Sequence, residues 1–259
     1  MYIYNPKESN NIFIHCEITK KGTQRAQNQD AYLVEKTADY FFFAIADGLG
    51  GLENGDKASN LAIATIKQEI HHDNIDPEDI LKKSHAVVKQ EAEKNHKTMA
   101  TTIVLCRIDE NTGDTTIAHV GDSRGYIMQN EMWRTKDHTL VQELVNLGIL
   151  SPDDACNHPE RHRISQALGI KDDIAIDHYT TTLTDGVILL SSDGLHNYLT
   201  DQEIQTIATR HPPDQACNLL VNKAQKNGST DDITVILIRL DEMEEGKPKK
   251  TKAKTFTFV

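Results

Sequence analysis

Two apolar runs, FFFAIAD at 41–47 and VILLSSD at 187–193, each end on an aspartate followed by glycine, and this pairing restricts the possible folds more than any other feature. Apolar runs of this length read as strands, and a strand that ends in an acid puts a carboxylate at a sheet edge. Neither Asp-Gly leads straight back into a partner strand, because turn and helix material follows both. Asp122, after TTIAHVG, and Asp231, before ITVILIRL, share this edge position, and Asp30 in NQDAYLV opens a strand from the other direction.

Taken singly, each of these acids reads as a turn or cap residue. Strand ends meeting at one rim of stacked sheets would bring all five together, and five unneutralised acids there would cost several kcal/mol per unpaired charge. Hard divalent cations relieve that cost. Oxygen ligands without histidine or thiolate select Mg2+ or Mn2+ over zinc or copper. His119, inside TTIAHV, reads as a packed strand histidine.

The glycines after Asp47 do not form a nucleotide cradle. GLGGLENG departs from GxGxxG at Glu53 and lacks the lysine with serine or threonine of a P-loop. Gly48 instead turns the chain and, with no Cβ in the way, can offer its carbonyl to an ion. Asp185-Gly186, between DHYTTTLT and VILLSS, reads as a two-residue hairpin loop.

Strands are expected at 12–18, 31–34, 40–46, 101–108, 115–120, 124–128, 174–179, 187–191 and 233–240. Helical patterns cover 56–70, 77–92 and 214–226, and Thr139 with Gln142 and Thr200 with Glu203 have capping-box spacing. Two adjacent helices followed by mostly strands suit antiparallel sheets with outer helices better than a βαβ repeat. One domain of residues 1–242 is expected, then a flexible lysine-rich tail at 243–259 whose closing TFTFV can dock or stay disordered.

The tail lysines at 247, 249, 250, 252 and 254 contribute +5 to a formal net charge of −11, so residues 1–245 carry −16. So acidic a body repels nucleic acid, and it repels a phosphorylated substrate unless cations or an arginine reverse the field. Arg25, five residues before Asp30, has the planar fork that matches two phosphate oxygens. Arg124 in GDSRG reads first as a loop-organising salt bridge. Cys16, Cys106, Cys156 and Cys217 form no CxxC pair and read as free thiols, Cys16 and Cys106 buried. The absence of a membrane-length apolar run or a secretory leader makes cytoplasm the default location.

GTQRAQNQD, AIADGLGG, TIAHVGDSRGY, KDHTLVQELVNLGIL, HPERHRISQALG, LLSSDGLHNYLT and STDDITVILI occur in this order, and together they resemble the bacterial branch of the metal-dependent serine/threonine phosphatases, the PP2C or PPM family. The resemblance covers about residues 15–240. It implies an α+β fold, an α-β-β-α sandwich of two facing antiparallel sheets flanked by helix pairs. It also implies a binuclear Mn2+ or Mg2+ centre that activates a water or hydroxide against phosphoserine and phosphothreonine in proteins. It matches Asp47 to the bridging carboxylate, Gly48 to a carbonyl ligand, and Asp193 and Asp231 to the other ligands of the first ion. Asp30 matches an acid holding metal-bound water, and Asp122 with Asp193 resembles a weaker third-metal site. Arg25 matches the phosphate-binding arginine, and residues 138–170 correspond to a mobile flap. Phosphorylated proteins are the implied partners, with a cognate kinase; no nucleic-acid partner and a monomer are expected.

Several positions depart from the family pattern. Gln29 stands where many members have Glu, which weakens one water-mediated metal contact, and Leu49 stands where animal members often carry a histidine proposed as general acid. Asp232 replaces a usual Asn, Ala100 a glycine and His162 an asparagine. Gln29, Leu49, Ala100 and His162 motivate one rival reading, a weakly active, metal-binding regulatory module; a phosphatase of small phosphate esters is a second rival.

Overall fold

The computed structural model describes residues 2–4, 11–49, 54–72, 76–156 and 158–242. The expected tail at 243–259 and residues 50–53 of the glycine segment lie outside them. Strands β1 (Tyr2–Tyr4), β2 (Asn11–Lys20), β7 (Arg124–Met128), β8 (Met132–Arg134), β10 (Gly186–Ser191) and β11 (Ile233–Glu242) form one sheet in the order β1-β2-β11-β10-β7-β8. The other holds β3 (Asp30–Lys36), β4 (Tyr40–Asp47), β5 (Ile103–Asp109), β6 (Asp114–Val120) and β9 (Asp177–Thr182), in the order β3-β4-β5-β6-β9. All pairings are antiparallel.

The sheets face each other. Phe41, Phe43 and Ile45 of β4 pack with Ile188 and Leu190 of β10 and Ile236 and Ile238 of β11. The alternate residues of β4, Phe42, Ala44 and Ala46, point the other way, onto α1 (Gly55–Glu69) and α2 (Pro77–Lys94). On the far side Val187, Leu189, Val235 and Leu237 meet α6 (Asp201–Arg210) and α7 (Pro213–Lys226). Central strands covered on both faces need apolar residues at every position, which is why composition rather than alternation marks them. The layers are those of the expected α-β-β-α sandwich.

The helix starts follow local chemistry. Thr200 and Glu203 form a complete capping box. Thr139 caps α3 (Leu140–Asn146) by accepting from Gln142 N–H, but the Gln142 side chain turns to Asn146 instead of reaching back. Two short helices, α4 (Pro152–Cys156) and α5 (Asp193–His196), and the strands β1 and β8 were not expected; each is too short to show a period.

Three further expectations change. Asp185-Gly186 does not close a hairpin, since β9 pairs with β6 and β10 with β7 and β11; the turn carries the chain between sheets. Residues 101 and 102 precede β5 instead of belonging to it. Among the cysteines, Cys106 and Cys217 are buried, whereas Cys16 is only partly so.

Candidate metal centre

Antiparallel pairing brings the end of β4 beside the start of β3, so Asp47 lies directly opposite Asp30. Val120, the last residue of β6, pairs with Ile103 at the same end, and Asp122 follows two residues later. In the facing sheet the end of β10 and the start of β11 pair through Ser191 and Val235, which places Asp193 and Asp231 on this rim. All five acids expected at one edge are therefore gathered there. They feel one another: burial first, then the charges of Asp30, Asp193, Asp122 and Asp231, push the Asp47 carboxyl well above the usual range. Burial, followed by the charge of Asp231, pushes Asp193 up to about 6. Asp30 is pushed up to about 7, chiefly by burial.

The rim is tied together by small polar side chains. Asp30 Oδ2 accepts from Ser192 Oγ at 2.8 Å and Thr234 Oγ1 at 2.6 Å, which joins the two sheets directly. Its other oxygen, Oδ1, is buried without a hydrogen-bond partner, and so is the neighbouring Gln29 Oε1. Asp47 O accepts from Thr102 N–H and Thr101 Oγ1, while Thr102 Oγ1 meets Ser123 Oγ at 2.7 Å beside Asp122. Asp232 is buried and uses both oxygens, accepting from Gly22 N–H at 2.7 Å and Gln29 N–H at 2.8 Å, so it closes the loop that carries Arg25.

The glycines serve packing. A Cβ on Gly48 would lie 2.2 Å from Gly55 O, and one on Gly194 2.0 Å from Asp232 O. The backbone at the start of α1 is thus reason enough for glycine at 48.

Arg25 does not reach into open space. Its Nε and Nη2 donate to Oδ1 and Oδ2 of Asp231 at 2.7 and 2.8 Å. Arg124 forms the expected loop salt bridge, a two-pronged contact with Asp137. Ser191 Oγ lies 2.9 Å from His196 Nδ1, but both are buried and the serine is no exposed nucleophile. Asn197 connects the flap to the rim: its Nδ2 donates to Asp193 Oδ2 at 3.1 Å and approaches His162 Nδ1 at 3.5 Å. The flap stems are paired, Leu140 N–H to Arg163 O and Ser165 N–H to His138 O, and Leu168 pairs with Thr101 behind Asp47. Leu147 and Ile149 on the flap are exposed.

Buried, mutually repelling carboxylates with an orphaned oxygen fit hard divalent cations. Full ionisation of this set is unfavourable in the protein alone, and positive charge restores it. A cavity of about 580 Å3 at the opposite end of β4, beside Lys36 and Tyr40, shares no residue with the rim.

A four-layer sandwich with such a rim defines the class of metal-dependent PPM-type phosphatases. The model of the Stage II sporulation protein E (SpoIIE) family matches residues 37–241. The serine/threonine phosphatase stp of Listeria innocua is 32% identical over 251 residues, 90% of this chain and 99% of that protein. Protein phosphatase PhpP of Streptococcus pneumoniae is 33% identical over 87% of this chain and 96% of its own. The crystal structure of serine/threonine phosphatase Stp1 from Staphylococcus aureus superposes with a TM-score of 0.82 at 26% identity, covering 91% of this chain and 98% of that one. The chain belongs to this family of bacterial PPM phosphatases.

Proposed function

We propose that this chain is a protein serine/threonine phosphatase that depends on divalent metal and hydrolyses phosphoserine and phosphothreonine esters in proteins. The convergence of Asp30, Asp47, Asp122, Asp193 and Asp231 at one rim carries this reading. Asp47, the Gly48 carbonyl, Asp193 and Asp231 would hold two ions, Mn2+ or Mg2+. Asp30 would support them through water, and Asp122 with Asp193 would make a weaker third site. Bound divalent cations supply Lewis-acid pull on phosphate oxygens and acidify water towards neutral pH.

The chain's own residues do the rest. Ser192 and Thr234 aim Asp30, and Thr101 and Thr102 hold the Asp47 main chain. Arg25 turns its fork from Asp231 to the nonbridging phosphate oxygens. No side-chain nucleophile is required, and Leu49 cannot donate a proton, so the leaving alkoxide takes its proton from water. The flap at 138–170 moves and governs access. Residues 1–242 are the catalytic unit, and the tail at 243–259 is not needed for hydrolysis.

The substrates are products of serine/threonine kinases, and the enzyme works as a cytoplasmic monomer. Both sheets carry a helix layer of this chain's own on their outer faces, and among the described residues no helix is long and apolar enough to cross a membrane. Purified protein with Mn2+ is expected to release phosphate from a phosphothreonine peptide faster than from metabolite phosphate esters. A preference for metabolites would overturn the substrate class, and a negligible rate at full metal occupancy would overturn the enzyme assignment.

A further inference from the structure

A second group of metal-type ligands lies off the carboxylate rim. His119 in β6 stands directly opposite Asp177 at the start of β9. His138, at the first stem of the flap, lies beside His119 with ring centroids 4.6 Å apart. One ligand-type atom from each of His119, His138 and Asp177 lies within 4.8 Å of the others. His138 Nε2 and Asp177 Oδ2 are 3.3 Å apart, close to the roughly 3.3–3.4 Å between neighbouring ligands of a tetrahedral ion with bonds of about 2.0–2.1 Å.

The surroundings suit an ion. His119 Nε2 lies 2.9 Å from the Lys136 carbonyl, which can only accept, so the proton is on Nε2 and Nδ1 keeps its lone pair. A histidine whose second nitrogen is fixed by a backbone carbonyl is the usual arrangement behind a metal ligand. Burial, followed by the nearby His138, holds His119 below the ordinary imidazole range, so it is neutral and needs no deprotonation to bind. The Asp177 side chain is 59% exposed, and a cavity of about 360 Å3 touches both His119 and Asp177, which gives an ion a path from solvent.

We infer that His119, His138 and Asp177 form a binding site for a zinc-class divalent cation, distinct from the carboxylate rim. Two imidazoles and one carboxylate favour such an ion over Mg2+ or Mn2+, and three protein ligands leave the fourth position for water. The inference does not rest on the phosphatase reading.

The site is connected to the rim through one residue. His138 N–H donates to Gly121 O at 2.9 Å, and His138 Nδ1 accepts from Gly121 N–H at 3.3 Å. An ion on Nε2 shifts the imidazole proton to Nδ1, so Gly121 N–H loses its acceptor. Occupancy is thereby felt at the residue that precedes Asp122 and at the flap stem, where His138 O accepts from Ser165 N–H.

The test is Co2+ added to the full chain already saturated with Mn2+. Tetrahedral Co2+ with nitrogen ligands absorbs strongly in the visible, whereas octahedral oxygen-bound Co2+ absorbs weakly. A strong band that saturates at one equivalent and is displaced by Zn2+ is expected. It should vanish in His119→Gln and His138→Gln and persist in Asp47→Asn. Asp177→Asn, on an exposed edge strand, keeps the fold and should weaken Co2+ binding by at least ~10-fold. Only a weak octahedral spectrum in the parent, equal binding by Asp177→Asn, or loss of the band in Asp47→Asn alone would each overturn the site.

Discussion

Arg25 and Asp231 hold each other through two parallel hydrogen bonds of 2.7 and 2.8 Å, although one is proposed to grip phosphate and the other metal. The guanidinium thus occupies the carboxylate proposed to hold a cation. Both side chains are about one-third exposed, so solvent screens the pair and it can open readily. The arginine supplies positive charge to this carboxylate.

Replacing Arg25 with alanine is therefore expected to act in two directions. Mn2+ affinity should rise a few-fold because Asp231 is released, while kcat/KM falls roughly 10–100-fold from the lost charged hydrogen bonds to phosphate. Calorimetric Mn2+ titration and steady-state kinetics read the two effects separately. Unchanged metal affinity would show that the ion pair does not compete.

Asp47→Asn removes the acid that every other rim carboxylate pushes against. The fold should persist and, with chelator at pH 8, the melting temperature should rise because the cost of burying this acid among four others is gone. Metal affinity and turnover should both collapse. Turnover equal to the parent would remove Asp47 from the centre.

The raised carboxyls set a pH dependence for the metal-free protein. Asp30, pushed up to about 7, and Asp193, to about 6, bind protons in the folded state at pH values where the unfolded chain has released them. The stability they contribute is fully present below the unfolded value of about 4 and is lost as pH rises to about 7. In chelator the melting temperature should fall over that window, and added Mn2+ should restore it in a concentration-dependent way. A flat profile would contradict the crowding at the rim.

Asp232→Asn restores the residue usual in the family but does not suit this loop. The amide has a single acceptor oxygen and cannot serve Gly22 N–H and Gln29 N–H together, so one buried donor is left unpaired. The expected cost is about 1–3 kcal/mol in denaturant unfolding, together with a higher KM through the Arg25 loop. A neutral or stabilising effect would mean that the loop accommodates the amide.

The five acids were legible because each stands at or beside one end of an apolar strand, and the end of a strand is a local property. The same reasoning misplaced Asp185-Gly186: a turn signal says that the chain reverses, not which sheet the next strand joins. Ser192 reads from the sequence as a loop hydrogen-bonder beside an acid, but its partner Asp30 and the part of Thr234 do not, since serine and threonine near strand ends are common and Asp30 is distant in the chain. Leu49 and His162 were visible only as departures from a family pattern; in the structure Leu49 contributes its N–H to Ala100 O, and His162 approaches Asn197.

By itself, the sequence determined the longer strands, the long helices and the identity of the rim acids, because apolar periodicity and strand ends act over a few residues. Tertiary structure decided which oxygens stay orphaned, that Arg25 rests on Asp231, and that His119 meets His138 and Asp177. Those outcomes depend on sheet order and on angstrom-scale approach between residues far apart in the chain, and no local pattern encodes them.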